Sequence, residues 1–191
     1  MRTYMLLAGL CLLAGACGRS EPHPGGGAGK ATDTASSDSG AQPAALTVDA
    51  RAVGPVRIGM TLRELGAAVG ETLQPKYEIN ETCDYVEPKA LPKGLSIMIV
   101  EDSVARVDID EPGILTTEGA GVGDLESRVL ALYGTRAQVQ PHKYTGPTGH
   151  YVIVDAPGDT LHRIVFETDG QKVERYQAGR RPAVDFVEGC A

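Results

Sequence analysis

The stretch Val53-Gly54-Pro55-Val56-Arg57-Ile58-Gly59-Met60-Thr61-Leu62-Arg63-Glu64-Leu65-Gly66-Ala67-Ala68-Val69-Gly70 decides how the rest of the 191-residue chain is read. Thr61 followed three residues later by Glu64 is a capping box, in which each partner satisfies a main-chain N–H that a helix start leaves open. Leu62, Leu65 and Val69 then fall on one helical face, and Gly70 supplies the stop. A short amphipathic helix is therefore expected here.

Working outward, Val122-Gly123-Asp124-Leu125-Glu126-Ser127-Arg128-Val129-Leu130-Ala131-Leu132-Tyr133-Gly134 repeats the plan. Gly59 and Gly70 are spaced as Gly123 and Gly134 are, and Leu65, Ala67 and Val69 align with Val129, Ala131 and Tyr133. Asp124 is the expected cap of this second helix. β-branched runs follow each helix, separated by acidic or Gly turns, the pattern of antiparallel hairpins. The first three are Thr82 to Glu87, Leu95 to Val100 and Val104 to Asp110; the second three are His150 to Asp155, Leu161 to Phe166 and Lys172 to Ala178. The expected fold class is thus α+β, with two tandem units at about 53–110 and 119–179, each a short helix followed by a three-stranded antiparallel meander. Residues 180–191 form a tail after them.

The residues Ile58, Gly59, Met60, Thr61, Glu64, Leu65 and Gly70, followed by strands, resemble the start of outer-membrane assembly lipoproteins of the BamE/SmpA type. They also resemble the tandem-repeat β-lactamase inhibitor proteins built on a similar unit. The resemblance implies binding of other proteins through a sheet face or edge.

Upstream, a basic start at Arg2 and an apolar run from Met5 to Leu13 are too short to span a bilayer and read as a secretory signal over residues 1–16. Leu12-Leu13-Ala14-Gly15-Ala16-Cys17 resembles the lipobox of bacterial lipoproteins, which implies lipidation of Cys17. An ordinary cleaved signal with a free Cys is the other reading. Gly18 is not the Asp that marks inner-membrane retention, so the resemblance implies anchoring in the outer membrane, facing the periplasm. Residues 17–46 are rich in Gly, Ala, Ser, Thr, Pro and Asp, with too little apolar surface to offset the entropy of ordering them. They read as a flexible linker with ends on the order of 30 Å apart. The folded domain is expected over 47–191.

The formal net charge is −7, which argues against a nucleic-acid partner and against adhesion to anionic headgroups, leaving lipid as the membrane contact. With no Trp and two Phe, the core must be built from Val, Ile, Leu and Ala. Gly119-Ala120-Gly121-Val122-Gly123 lacks the spacing of a phosphate loop, and Asp124 would repel the anion. Asp108-Ile109-Asp110-Glu111 supplies too few oxygens for calcium and reads as the wet face of a strand. His142, His150 and His162 are scattered, no G-x-S-x-G occurs, and no catalytic constellation, metal site or cofactor motif is legible. The expectation is a non-catalytic, envelope-protein-binding module. An inhibitor or immunity protein against an envelope hydrolase, and an envelope hydrolase itself, are the alternatives. The stretch Pro141 to Tyr151 gathers His142, Tyr144, His150 and Tyr151 in a Pro/Gly loop, and is the candidate binding surface; a long solvated connection is the plainer reading.

Cys83 and Cys190 are the thiols left to the folded part, and in an oxidising compartment they are expected to pair; two free buried thiols are the alternative. The bridge would close a loop of 107 residues. Loop-closure entropy then gives about 4 to 5 kcal/mol of stabilisation. Reducing the protein, or Cys83→Ala, should lower Tm by well over about 10 °C in a calorimetric scan; an unchanged Tm would refute the stabilising role.

Overall fold

A computed structural model describes residues 46–78 and 80–191. The signal segment, Cys17 and nearly all of the linker lie outside the described residues. In chain order the elements are β1 (Thr47–Asp49), β2 (Ala52–Val53), β3 (Val56–Arg57), α1 (Leu62–Val69), β4 (Cys83–Val86), β5 (Leu95–Val100), β6 (Ser103–Ile109) and β7 (Leu115–Thr116). There follow α2 (Glu126–Tyr133), β8 (Ala137–His142), β9 (Gly146–Asp155), β10 (His162–Thr168) and β11 (Val173–Arg180).

Helix α1 starts as its sequence dictates. The Glu64 N–H donates to Thr61 Oγ1 at 3.2 Å, and the Thr61 N–H donates to the Glu64 carboxylate at 2.9 Å. Helix α2 begins one residue later than expected, with Leu125 at the cap position and no side-chain cap. The Asp124 carboxylate is taken by the Gly121 N–H and by Arg128, so it holds the preceding turn instead.

The expectation of two helix-plus-three-strand units is overturned. The described residues are mostly sheet, with eleven strands in two sheets and two eight-residue α-helices. The larger sheet is one continuous antiparallel layer of seven strands, in the order β4-β5-β6-β11-β10-β9-β8. Its two halves fuse because β6 pairs with β11, from Ile109 opposite Tyr176 to Arg106 opposite Gly179. The second half supplies four strands, since part of the anticipated 141–151 loop is the end of β8, a tight turn and the start of β9. Pro141 disguised β8, yet proline is tolerated there because β8 is an edge. The smaller sheet, β3-β2-β1-β7, joins the stretch before α1 to β7 through a parallel β1–β7 pair. Strands of two or three residues give no periodic signal to read.

One face of the large sheet carries the main core. Leu65 of α1, Val129 and Tyr133 of α2, and Val48, Val53 and Val56 of the small sheet are buried against Ile97, Ile99, Val104, Val107, Val152, Val154, Phe166 and Tyr176. On the opposite face the apolar contacts are two small clusters, each closed by the tail. Met98, Ala105 and Cys83 meet Ala183, and Ile153 and Val165 meet Val184. An extra residue in β6, opposite the Met98–Ile99 step of β5, turns both Ala105 and Arg106 toward that second face.

At the seam between the halves, a Cβ placed on Gly179 would lie 2.5 Å from the Ala105 carbonyl oxygen and 2.7 Å from Arg106 Cα. Both neighbours are main chain and cannot swing aside. Gly179→Val should therefore destabilise the protein by roughly 2 kcal/mol, the cost typical of overpacking, read as a lower urea midpoint with unchanged slope.

Candidate functional site: the open face of the sheet

The second face of the large sheet is polar at its centre because β6 from Arg106 onward, β10 and β11 place Arg106, Asp108, Glu167, Arg175 and Gln177 there in alternation with core residues. Three of these are almost fully buried, Arg106, Glu167 and Gln177 each being 4% exposed. What covers them is the tail. After β11 the chain makes a short 3-10 turn at Ala183–Asp185 and runs back across the sheet to the bridge between Cys190 and Cys83, where the Cα atoms are 5.4 Å apart.

Arg106 organises this face. Its Nη1 donates to the carbonyls of Ala183 (3.1 Å) and Phe186 (2.7 Å), its Nη2 to the Tyr85 hydroxyl (2.8 Å), and its Nε to the Asp108 carboxylate (2.9 Å). A planar guanidinium has five N–H donors in a fixed fork, and here the fork reaches three separate segments of chain. Burial works against its charge, but the bonds to Asp108 and Tyr85 overcome that and hold its pKa above the usual arginine value. Burial pushes the Asp108 carboxyl up, with Arg106 pulling back. Burial, with Asp108 adding to it, pushes the Tyr85 phenol up to about 12, so it remains a neutral hydroxyl at any physiological pH. Gln177 Nε2 donates to the Val184 carbonyl at 2.8 Å, and Asp185 is held by Arg163 (3.1 Å) and Arg181 (2.9 Å).

The structure brings three of the four anticipated loop residues to this face. His142 stacks on Tyr151 with ring centroids 4.5 Å apart. Its Nδ1 accepts from the N–H groups of Tyr144 (3.1 Å) and Thr145 (3.2 Å), which assigns the ring proton to Nε2, 3.3 Å from Glu167. Glu167 also accepts both Nε and Nη2 of Arg175, at 2.9 and 2.7 Å. Tyr144 donates its hydroxyl to Glu188 of the tail, and Lys143 reaches the same carboxylate at 3.1 Å. These two contacts, the Tyr144 bond first, hold the Glu188 carboxyl below the usual range. His150 does not join them. One residue from Tyr151 on β9, it turns the other way and meets the Glu126 carboxylate of α2 at 2.9 Å, where the Thr168 hydroxyl also donates.

Between β6, β11 and the passing tail lies a cleft of about 500 Å³, whose lining includes Tyr85, Arg106, Asp108, Glu167, Arg175 and Gln177 on the sheet side and Val187, Glu188 and Gly189 on the tail side. Asp108, read from sequence as a solvated carboxylate, is committed to Arg106. Among the described residues no group of three or more His, Cys, Asp or Glu is placed to hold a metal ion, and no helix is long and apolar enough to cross a membrane. Sequence reasoning passed over Arg106, Glu167, Arg175 and Gln177. The signal was there in the Arg-x-Asp of β6, two opposite charges on one strand face with the apolar Val107 between them. No family model, curated protein or solved structure matches the chain, so nothing beyond its own residues identifies either family that the Gly59–Gly70 stretch resembles.

Removing the Arg106 guanidinium leaves Asp108 half-enclosed without a partner and frees two tail carbonyls. Arg106→Met should cost about 3 kcal/mol in urea unfolding, and Asp108→Asn in that background should cost about 1 kcal/mol less than it does alone. Strict additivity of the two substitutions would show that the pair is not coupled.

Proposed function

We propose that this chain is a lipid-anchored, non-catalytic module that binds a protein partner in the bacterial outer membrane, on its periplasmic side. One observation carries the binding half of the reading. The open face of the sheet already holds a length of polypeptide, the chain's own tail, by side-chain bonds to main-chain carbonyls at Ala183 and Val184 of the 3-10 turn and at Phe186 after it. Donors aimed at carbonyls recognise a polypeptide as such, whatever its side chains. Beside the cleft are two half-polar rings of the type favoured at protein interfaces, Tyr144 bonded to Glu188 and Tyr151 stacked on His142, which meets Glu167.

The charged groups of this face are engaged with one another: Asp108 with Arg106, Glu167 with Arg175 and His142, Glu188 with Lys143. Each of the other two histidines of the domain has its own carboxylate elsewhere, His150 with Glu126 and His162 with Asp159. Paired charges of this kind fix a surface in shape and electrostatic pattern, which serves selective binding. The anchor half rests on the Leu12–Cys17 lipobox and on Gly18 after it.

Two measurements test the two halves. Metabolic labelling with a fatty-acid analogue should mark the parent and not Cys17→Ser, and the variant should leave the outer-membrane fraction; equal labelling of both would end the anchor proposal. Affinity capture from solubilised envelopes should bring down a partner that Tyr144→Ala/Tyr151→Ala retains at least about tenfold less well, the loss of roughly 1.4 kcal/mol or more expected of truncated aromatic anchors. Undiminished capture by that double variant would move the binding surface off this face. Recovery of a hydrolase whose activity the protein suppresses would make the module an inhibitor.

A further inference from the structure

The tail is held very unevenly along its length. Its root is tied down many times over. Ala183 and Val184 are buried, Arg106 and Gln177 take the carbonyls of Ala183, Val184 and Phe186, and Asp185 sits between two arginines. Beyond Phe186 these ties stop. Among the described residues, the main chain from Val187 to Ala191 makes one hydrogen bond, from the Ala191 N–H to the Glu188 carbonyl, and none to the sheet. The Glu188 side chain meets Lys143 and Tyr144, but Lys143 and Glu188 are each 55% exposed, and a solvated pair of that kind holds weakly. Gly189 passes over Tyr85 so closely that a Cβ there would lie 2.9 Å from the phenol oxygen, and its φ of 64° suits glycine alone. What keeps this short span over the cleft is the covalent bond from Cys190 to Cys83.

We propose that the Cys83–Cys190 disulfide is the latch of a strap, residues 187–191, and that reduction by a dithiol frees the strap and uncovers the cleft floored by Arg106, Asp108 and Arg175. The chemistry is ordinary thiol–disulfide exchange. One thiolate of the dithiol attacks Sγ of Cys190, the less buried partner, forming a mixed disulfide and expelling the Cys83 sulfur, which takes up a proton. The second thiol of the reagent then closes its own ring disulfide and releases Cys190 as a thiol. Two electrons and two protons pass to the protein, and the reagent leaves oxidised. With the bond gone, the five-residue strap is held at its root by the Arg106 bond to the Phe186 carbonyl and along its span by the exposed contacts of Glu188 with Lys143 and Tyr144. The root stays, because its ties involve no sulfur, and the span lifts. The same face carries the binding reading above, yet strap release is a property of the chain alone and is measured with no partner present.

The purified protein is compared oxidised, reduced with dithiothreitol, and as Cys190→Ser, at 25 °C. A glutamate-specific protease cuts after Glu188, and samples are unfolded and reduced after quenching so that the cut is counted whether or not the bridge held its product. Hydrogen exchange of the β6 and β11 amides is followed in parallel. Expected are a rise of at least about tenfold in cleavage after Glu188 in the reduced protein and in Cys190→Ser, while the β6 and β11 amides, although less protected once the bond no longer stabilises the fold, still open at least about a hundredfold less often than the strap, the signature of local opening. Cleavage equal in all three forms would overturn the latch. So would β6 and β11 amides that open as often as the strap does, because cleavage would then report unfolding of the whole sheet.

Discussion

The ladder between β6 and β11 is the contact on which the rest of the molecule depends. Four residue pairs, from Tyr176 and Ile109 to Gly179 and Arg106, turn what the sequence presents as two similar halves into one sheet with two extended faces. Because side chains alternate along a strand, that single pairing also fixes what lies on each face of the junction. Val107, Ile109, Tyr176 and Ala178 are committed to the core, and Arg106, Asp108 and Gln177 to the other side. The extra residue at Ala105 is part of the same constraint, since without it the adjacent Ala105 and Arg106 could not share the face of the Met98–Ala183 contact.

A sheet face with charges at its middle must either stay wet or find partners. Here the partners come from far along the chain. The carbonyls of the tail, the phenol of Tyr85 and the carboxylates of Asp108 and Glu167 together satisfy Arg106 and Arg175, and no buried side-chain nitrogen or oxygen among the described residues lacks a hydrogen-bond partner. The tail is therefore part of the sheet's polar economy as well as a cover. Its own apolar side chains, Ala183 and Val184, fill the two small apolar sites on either side of the charged centre. Thus the face is polar where hydrogen bonds are needed and apolar where packing is.

Local chemistry was legible in the sequence and long-range pairing was not. The Thr61–Glu64 cap involves residues three apart, so its signal is contained in the words of the chain itself. The bridge between Cys83 and Cys190 was legible by elimination, because few thiols remained to pair. Of the six expected strands, five fell within a residue or two of their β-branched runs, whereas β1, β2, β3, β7 and β8 were not expected at all. Among those six, β9 began four residues before its expected run, because Gly146, Pro147 and Gly149 carry turn chemistry inside what is strand. The architecture was misread because nothing local records that β6 will meet β11, or that Thr47–Asp49 will pair in parallel with Leu115–Thr116. Of the candidate loop, His142, Tyr144 and Tyr151 converge, whereas His150 departs through the same period-two rule that places Tyr151. The charged centre escaped notice because an acid on a strand reads as solvated until the segment that covers it is known.

The position of the disulfide has a mechanical consequence. Tension entering the folded region at Leu46 and leaving at Ala191 follows the shortest covalent route, along the chain to Cys83, across the two sulfurs, and out through Cys190. Everything from Asp84 to Gly189 lies inside the closed ring and carries none of the pull while that bond holds. A tug on the molecule's ends would peel β1, β2, β3 and α1 away from β7, and would leave most of the seven-stranded sheet slack and intact.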